Sequence, residues 1–128
     1  MNESMKNGAI KDFYDLDAWK KAHEFSLAVY RITKKFPTEE RYGMTSQLRR
    51  AVTSVGANIA EGFSRYHFND KVRFYHNARG SISETQNFLF LAKDIGCLND
   101  GAFESLFRQS KDIAMLINGL IRSIDRQR

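Results

Sequence analysis

A single proline, Pro37, and only eight glycines in 128 residues leave too few turn formers for the many tight connections of a small all-β domain. The lone cysteine, Cys97, excludes an internal disulfide framework and fits a reducing compartment. The opening MNESMKNGAIKD is polar, so no secretory leader is expected. The apolar run Ile113 to Ile121 is nine residues long, far short of the roughly 20 needed to cross a bilayer. These absences predict a soluble, cytoplasmic protein. Recognisable chemistry is equally scarce. The three histidines, His23, His67 and His76, belong to no His-Glu-x-x-His, Glu-x-x-His or Cys/His cluster. His76 could ligate a metal only if chains combine, and Cys97 reads as a small packed side chain rather than a nucleophile. There is neither a glycine-rich phosphate loop nor a nucleophile elbow. No enzymatic activity, metal or cofactor is expected.

What the chain does contain is the composition of a globular domain, 42% hydrophobic and 27% charged, with 20 Lys and Arg against 15 Asp and Glu. The formal charge of +5 favours salt-sensitive association with polyanions, nucleic acid or an acidic protein surface. A chain of this length can bury roughly two-thirds of its unfolded surface as one domain.

Residues 1–12 lack periodicity and are expected to form a disordered tail, with a single domain over 13–128. Asp15 or Asp17 can cap a first helix, which Pro37 stops at Phe36. Its inward face reads Trp19, Ala22, His23, Ser26, Val29, Tyr30, Thr33 and Phe36, against Asp17, Lys20, Lys21, Glu24, Arg31 and Lys35 outside. Lys34 and Lys35 suit the negative end of the helix dipole, or make a phosphate-contacting patch. A second helix begins near Met44 to Ser46 and closes at Gly62, read as a C-cap glycine. The third runs from His67–Asn69 to Ile95, a rod of roughly 40 Å. Its seam is Phe68, Val72, Tyr75, Ala78, Ile82, Thr85, Leu89, Ala92 and Ile95. Gly96 ends it, and Asn99 or Asp100 caps a fourth helix with an inner stripe running from Phe103 to Ile124. Four helices joined by short loops predict an all-α, antiparallel up-down-up-down four-helix bundle.

The stretch RYGMTSQLRRAVTSVGANIAEG, residues 41–62, organises the rest. Leu48, Val52, Val55 and Ile59 make an apolar stripe; Gln47, Arg50, Ser54, Asn58 and Glu61 make a polar one. Thr53, Gly56, Ala57 and Ala60 form a strip almost bare of side chain. Arg49 and Arg50 are the only charges between Thr45 and Ala60, and Glu84 is the only one between Gly80 and Ala92. Helices so poor in charge need cover on several sides, which points to a second subunit. Arg50, Asn58, Glu61, Arg79 and Glu84 would then sit in apolar surroundings, where unpaired charge costs several kcal/mol. Glu84 or Glu61 pairing with Arg50 or Arg79 would fix helix register or subunit orientation. Alternatively, the arginines face a channel and meet phosphate or an acidic partner.

Residues 41–62, with DLDAWKKAHEFSLAVYRITKKFP upstream and ARGSISETQNFLFLAKDIG downstream, closely resemble the bacterial four-helix bundle family, also called the ribosomal RNA intervening-sequence protein family. The resemblance spans about Asp15 to Leu98. It implies a four-helix bundle assembled as a homopentamer, without established enzymatic activity. A related branch, the accessory protein of diversity-generating retroelements, implies binding to a reverse transcriptase and nucleic acid. Family positions carry over to Arg41, Tyr42, Gly43, Ser46, Gln47, Arg49, Arg50, Ser54, Asn58, Glu61, Gly62, Arg65, Gly80, Ser81 and Glu84. His67 replaces a common serine at the third-helix cap, and Lys71 a common phenylalanine.

The reading drawn from these observations is a non-enzymatic homo-oligomer, binding RNA or DNA electrostatically or acting as an adaptor; the alternative is a protein-interaction scaffold with no nucleic-acid role. Candidate phosphate contacts are Lys20, Lys21, Arg31, Lys34, Lys35, Arg41, Arg49 and Arg65. Arg49 comes first, being about 100° of helix rotation from an Arg50 expected to be the more buried. The candidate structural network is Gln47, Arg50, Ser54, Asn58, Glu61, Arg79 and Glu84.

Overall fold

A computed structural model describes residues 10–128 of the protein. Of the expected tail, residues 1–9 lie outside the described residues; Ile10 is half-buried and packs against the core. Four helices carry the fold: α1 (Asp17–Thr33), α2 (Ser46–Ser64), α3 (Phe68–Asp94) and α4 (Asp100–Gln127). No strand occurs among the described residues.

Each neighbouring pair of helices runs antiparallel, as the cross-contacts show. Along α1, Trp19 lies over Gly56 of α2, Ser26 donates to the Val52 carbonyl, and Thr33 accepts from Arg49. Between α2 and α3, Ser54 meets Ser81 while Gly62 meets Tyr75. Between α3 and α4, Phe90 packs on Phe103, Gln86 reaches Ser110 and Arg79 reaches Asn118. The ring closes where α4 packs back on α1.

The core follows from the three- and four-residue spacing of branched and aromatic side chains. Leu48, Val52, Val55 and Ile59 of α2 are fully buried, facing Phe25 and Val29 of α1, Ile82 and Leu89 of α3, and Ile113 and Ile117 of α4. Each such side chain contributes roughly 1.5–3 kcal/mol of transfer free energy. The few polar groups inside are locally satisfied. Thr33 donates to the Val29 carbonyl, Thr85 to Ser81, and Ser110 to Phe107 while accepting from Gln86. No buried side-chain N or O among the described residues lacks a partner.

Several boundaries differ from the sequence reading. The buried face of α1 is Ala18, Ala22, Phe25, Val29 and Thr33, whereas His23 and Tyr30 are exposed and Trp19 and Ser26 are half-buried on a shoulder facing α2. Neither Asp15 nor Asp17 caps α1. Leu16 occupies the cap position, and the Asp15 carboxylate instead accepts from the Lys11 and Asp12 amides around a short turn, Phe13–Asp15. Those two amide bonds, Asp12 first, hold the Asp15 carboxyl below its usual range. The helix ends at Thr33 rather than Phe36, and the chain continues in turns to Pro37.

Gly62 is not a terminal glycine. α2 continues to Ser64, and Gly62 is buried where α3 crosses it. A Cβ there would stand 2.7 Å from the Tyr75 ring. Lys71 reaches over this crossing and donates to the Phe63 carbonyl at 2.7 Å, tying off the negative end of α2; burial lowers its pKa. At the end of α3, Gly96 takes φ 87°, which only glycine adopts without strain, and Asn99 caps α4 by accepting from the Ala102 amide.

Tyr75, 3% exposed, has its phenol pushed up to about 12 by burial. The unfolded phenol ionises near 10. The buried neutral form therefore contributes stability that is fully present below pH 10 and lost as pH rises toward 12. Two pH units correspond to about 2–3 kcal/mol. Urea unfolding followed from pH 9 to 12 should show this loss, and Tyr75→Phe should flatten it.

Candidate nucleic-acid interface

The connection between α1 and α2 decides where the positive charge collects. Pro37 ends the first arm, a short turn spans Thr38–Glu40, and a wide π-type turn spans Arg41–Thr45 before α2 begins. Glu40 accepts from the Met44 amide, and Gly43 leaves the helical track, so Arg41 and Tyr42 are carried out into solvent. Between Tyr30 and Arg50 the chain carries six cations, Arg31, Lys34, Lys35, Arg41, Arg49 and Arg50, against two carboxylates, Glu39 and Glu40.

None of those six cations belongs to an ion pair among the described residues; the pairs that form are Lys21–Glu24, Arg65–Glu61, Arg73–Asp70 and Arg128–Asp125. Glu39 and Glu40 bear on Cys97 instead, adding to the burial that raises its thiol pKa, which keeps that cysteine a protonated side chain. The positive end of the bundle is therefore poorly neutralised from within.

Arg41, Thr45 and Arg49 line two adjoining depressions there. One takes in Lys34 and Pro37, the other Tyr30, Tyr42 and Arg50. Arg49 is the half-buried member, reversing the expectation from sequence. Its Nε donates to Thr33 Oγ1 at 2.8 Å, one Nη donates to the Tyr30 carbonyl, and its guanidinium lies 4.5 Å above the Tyr30 ring. It pins α2 to the end of α1, where a cation also suits the exposed carbonyls. Arg50 is the exposed one.

The remaining candidates divide. Arg31 on α1 and Lys35 on the turn that follows it border a groove against α4, around the corner from Arg41. Lys20, Lys21 and Arg65 lie at the opposite end of the bundle, since α1 begins and α2 ends there. Arg65 is engaged with Glu61 at 2.7 Å and rests over Phe74. Thus Lys34, Arg41, Arg49 and Arg50 come together, while five of the expected phosphate contacts do not join them.

The expected arginine–glutamate network does not form within one chain. Gln47, Arg50, Glu61, Arg79 and Glu84 are all exposed, so hydration removes the cost that pairing was to relieve. Arg79 donates to Asn118 and meets His76, and Glu61 turns to Arg65 on its own helix. Two members of the set thus reach another helix, Arg79 to Asn118 of α4 and Ser54, whose Oγ accepts from Ser81 of α3 at 3.0 Å, while Asn58 donates to the Ser54 carbonyl within α2.

Sequence reasoning missed Tyr30 as a surface residue and named Tyr42 as a family position without placing it among the candidate contacts. Tyr30 had been read as inward-facing; taking Phe25, Val29 and Thr33 as the seam would have turned it out. No group of three or more His, Cys, Asp and Glu side chains is placed to hold a metal among the described residues. His23 stacks on Trp19 at 4.7 Å, beside an apolar groove floored by Gly56 and Ala57. No helix among the described residues is long and apolar enough to cross a membrane.

Fold and surface together define an all-α, up-down four-helix bundle with a cationic, tyrosine-bearing end. The chain belongs to the 23S rRNA-intervening sequence protein family, whose family model matches residues 14–119. It is similar to the crystal structure of a protein of unknown function from the S23 ribosomal protein family of Bacteroides thetaiotaomicron. The two are 25% identical with a TM-score of 0.77, over 82% of this chain and 95% of that one. No curated protein matches the chain.

Proposed function

We propose that this protein is a non-enzymatic, cytoplasmic nucleic-acid-associated bundle that works as a homo-oligomer, a pentamer by the family resemblance. The observation that carries the nucleic-acid reading is the gathering of Lys34, Arg41, Arg49 and Arg50 at one end, with no carboxylate among the described residues paired to them. Phosphate contacts from such a patch supply sequence-tolerant affinity, and copies of the chain multiply it. RNA is the polyanion that the family name favours. A reverse transcriptase, or another enzyme of nucleic acids, is the protein partner that the resemblance implies.

Self-association is supported by the apolar surface that one chain leaves uncovered: Leu27 beside the Gly56–Ala57 strip, and Phe90 and Leu91 on α3 with Ile95 just past its end. The same surface favours the second reading, a protein-interaction scaffold.

The double variant Arg41→Ala/Arg50→Ala tests the first reading. Its affinity for RNA should fall at least tenfold at low salt, and the slope of log affinity against log salt should become shallower by about 2. The oligomer mass by light scattering should be unchanged. Wild-type binding that does not respond to salt, or no binding at all, would overturn the reading in favour of the scaffold.

A further inference from the structure

Duplex and single strand offer different chemistry to a surface of this kind. A duplex presents phosphates outside and stacks its bases within, so arginine and lysine suffice to hold it. A single strand also presents the faces of its bases, which aromatic side chains between cations can stack against. Resting on the nucleic-acid reading above, we infer that the cationic end of the bundle takes single-stranded nucleic acid, stacking a base on Tyr42 while Arg41 and Arg50 hold the flanking phosphates.

Tyr42 is 88% exposed, far more than a packed tyrosine, and it stands beside Arg41 on the turn that Gly43 breaks. Tyr30, 40% exposed, lines the same depression from α1. Its ring is backed by the Arg49 guanidinium, which is itself tied to Thr33. The platform therefore loses little freedom when a second plane settles near it. Two tyrosines, one projecting and one braced, thus line one depression together with Arg41, Arg49 and Arg50. A phosphate-only surface has no use for a projecting ring. The braced Arg49 serves to hold Tyr30, which leaves the exposed Arg41 and Arg50 as the phosphate contacts.

The test compares a 12-nucleotide uridine strand with a blunt RNA duplex, by fluorescence anisotropy at fixed salt, against the full-length wild type, Tyr42→Ala, Tyr42→Phe and Arg50→Ala. The wild type should bind the strand more tightly. Tyr42→Ala should lose about tenfold for the strand and little for the duplex, Tyr42→Phe should retain both, and Arg50→Ala should weaken both together. Equal wild-type affinity for the two probes, or strand binding indifferent to Tyr42→Ala while Arg50→Ala reduces it, would overturn the stacking inference and leave the phosphate reading standing. A fall in oligomer mass in Tyr42→Ala would also overturn it, making Tyr42 a subunit contact. Failure of the wild type to bind either probe would remove the underlying reading itself.

Discussion

Gly62→Val should cost the fold about 3 kcal/mol or more, lowering the thermal midpoint by about 10 °C. In most exposed helices a glycine replaced by a better helix former gains up to about 1 kcal/mol. Here the first added carbon would stand 2.7 and 2.9 Å from the Tyr75 ring and 3.2 Å from the Lys71 carbonyl. The ring is 3% exposed and cannot swing away, and the carbonyl is backbone. Helices α2 and α3 would have to separate, loosening the Ser54–Ser81 contact further along the same seam. Gly80→Ala is the matched control. Nothing lies within 4 Å of its added carbon, so a single chain should tolerate it or gain slightly. Thermal melts of the two variants should move apart; a wild-type melt for Gly62→Val would show that the crossing can relax.

Phe25→Ala is expected to be the most damaging single truncation, at about 3–5 kcal/mol. Phe25 is fully buried and is the largest side chain that α1 sends into the bundle. Its neighbours on that face are Ala18, Ala22 and Val29, too small to collapse into the space it leaves. The denaturant midpoint should fall with little change of slope, since the surface exposed on unfolding barely changes. Phe25→Leu, which restores most of the volume, should recover more than half of the loss. Equal damage from Trp19→Ala and Phe25→Ala would instead mean that the outer shoulder of α1 matters as much as its inner face.

Both residues show where reading the chain stops short. The seams of α2 and α4, and that of α3 from Val72 to Ala92, were legible because Leu48-Val52-Val55-Ile59 and its counterparts repeat at three and four residues with few rivals; the ends expected for the α3 seam, Phe68 and Ile95, are exposed. α1 carries two competing stripes, Trp19-His23-Ser26-Tyr30 and Ala22-Phe25-Val29, one step of helix apart. Which one turns inward depends on where α2 and α4 lie, and periodicity within α1 holds no record of that. The inversion of Arg49 and Arg50 has the same origin. Either arginine can face α1 depending on the hand in which the four helices wind, and the bundle puts Arg49 there, against Thr33 and Tyr30. Gly62 misled for a different reason. A glycine near a helix end usually stops it, but this one admits the ring of a residue 13 positions later in the chain. The cationic end was half legible. Composition supplied the charges, but their gathering depends on the turn that exposes Arg41 and Tyr42 and on the lack of ion pairs to them among the described residues.

Because every helix reverses the one before it, Asp17 at the start of α1 and Gln127 at the close of α4 emerge on the same side of the molecule, with Tyr42 on the other. The length of α1 alone separates these faces by about 25 Å. An affinity handle or fluorophore attached beyond Gln127 would hang from the far side. Immobilising the chain through such a handle on a sensor chip would leave Arg41 and Tyr42 facing the flowing solution.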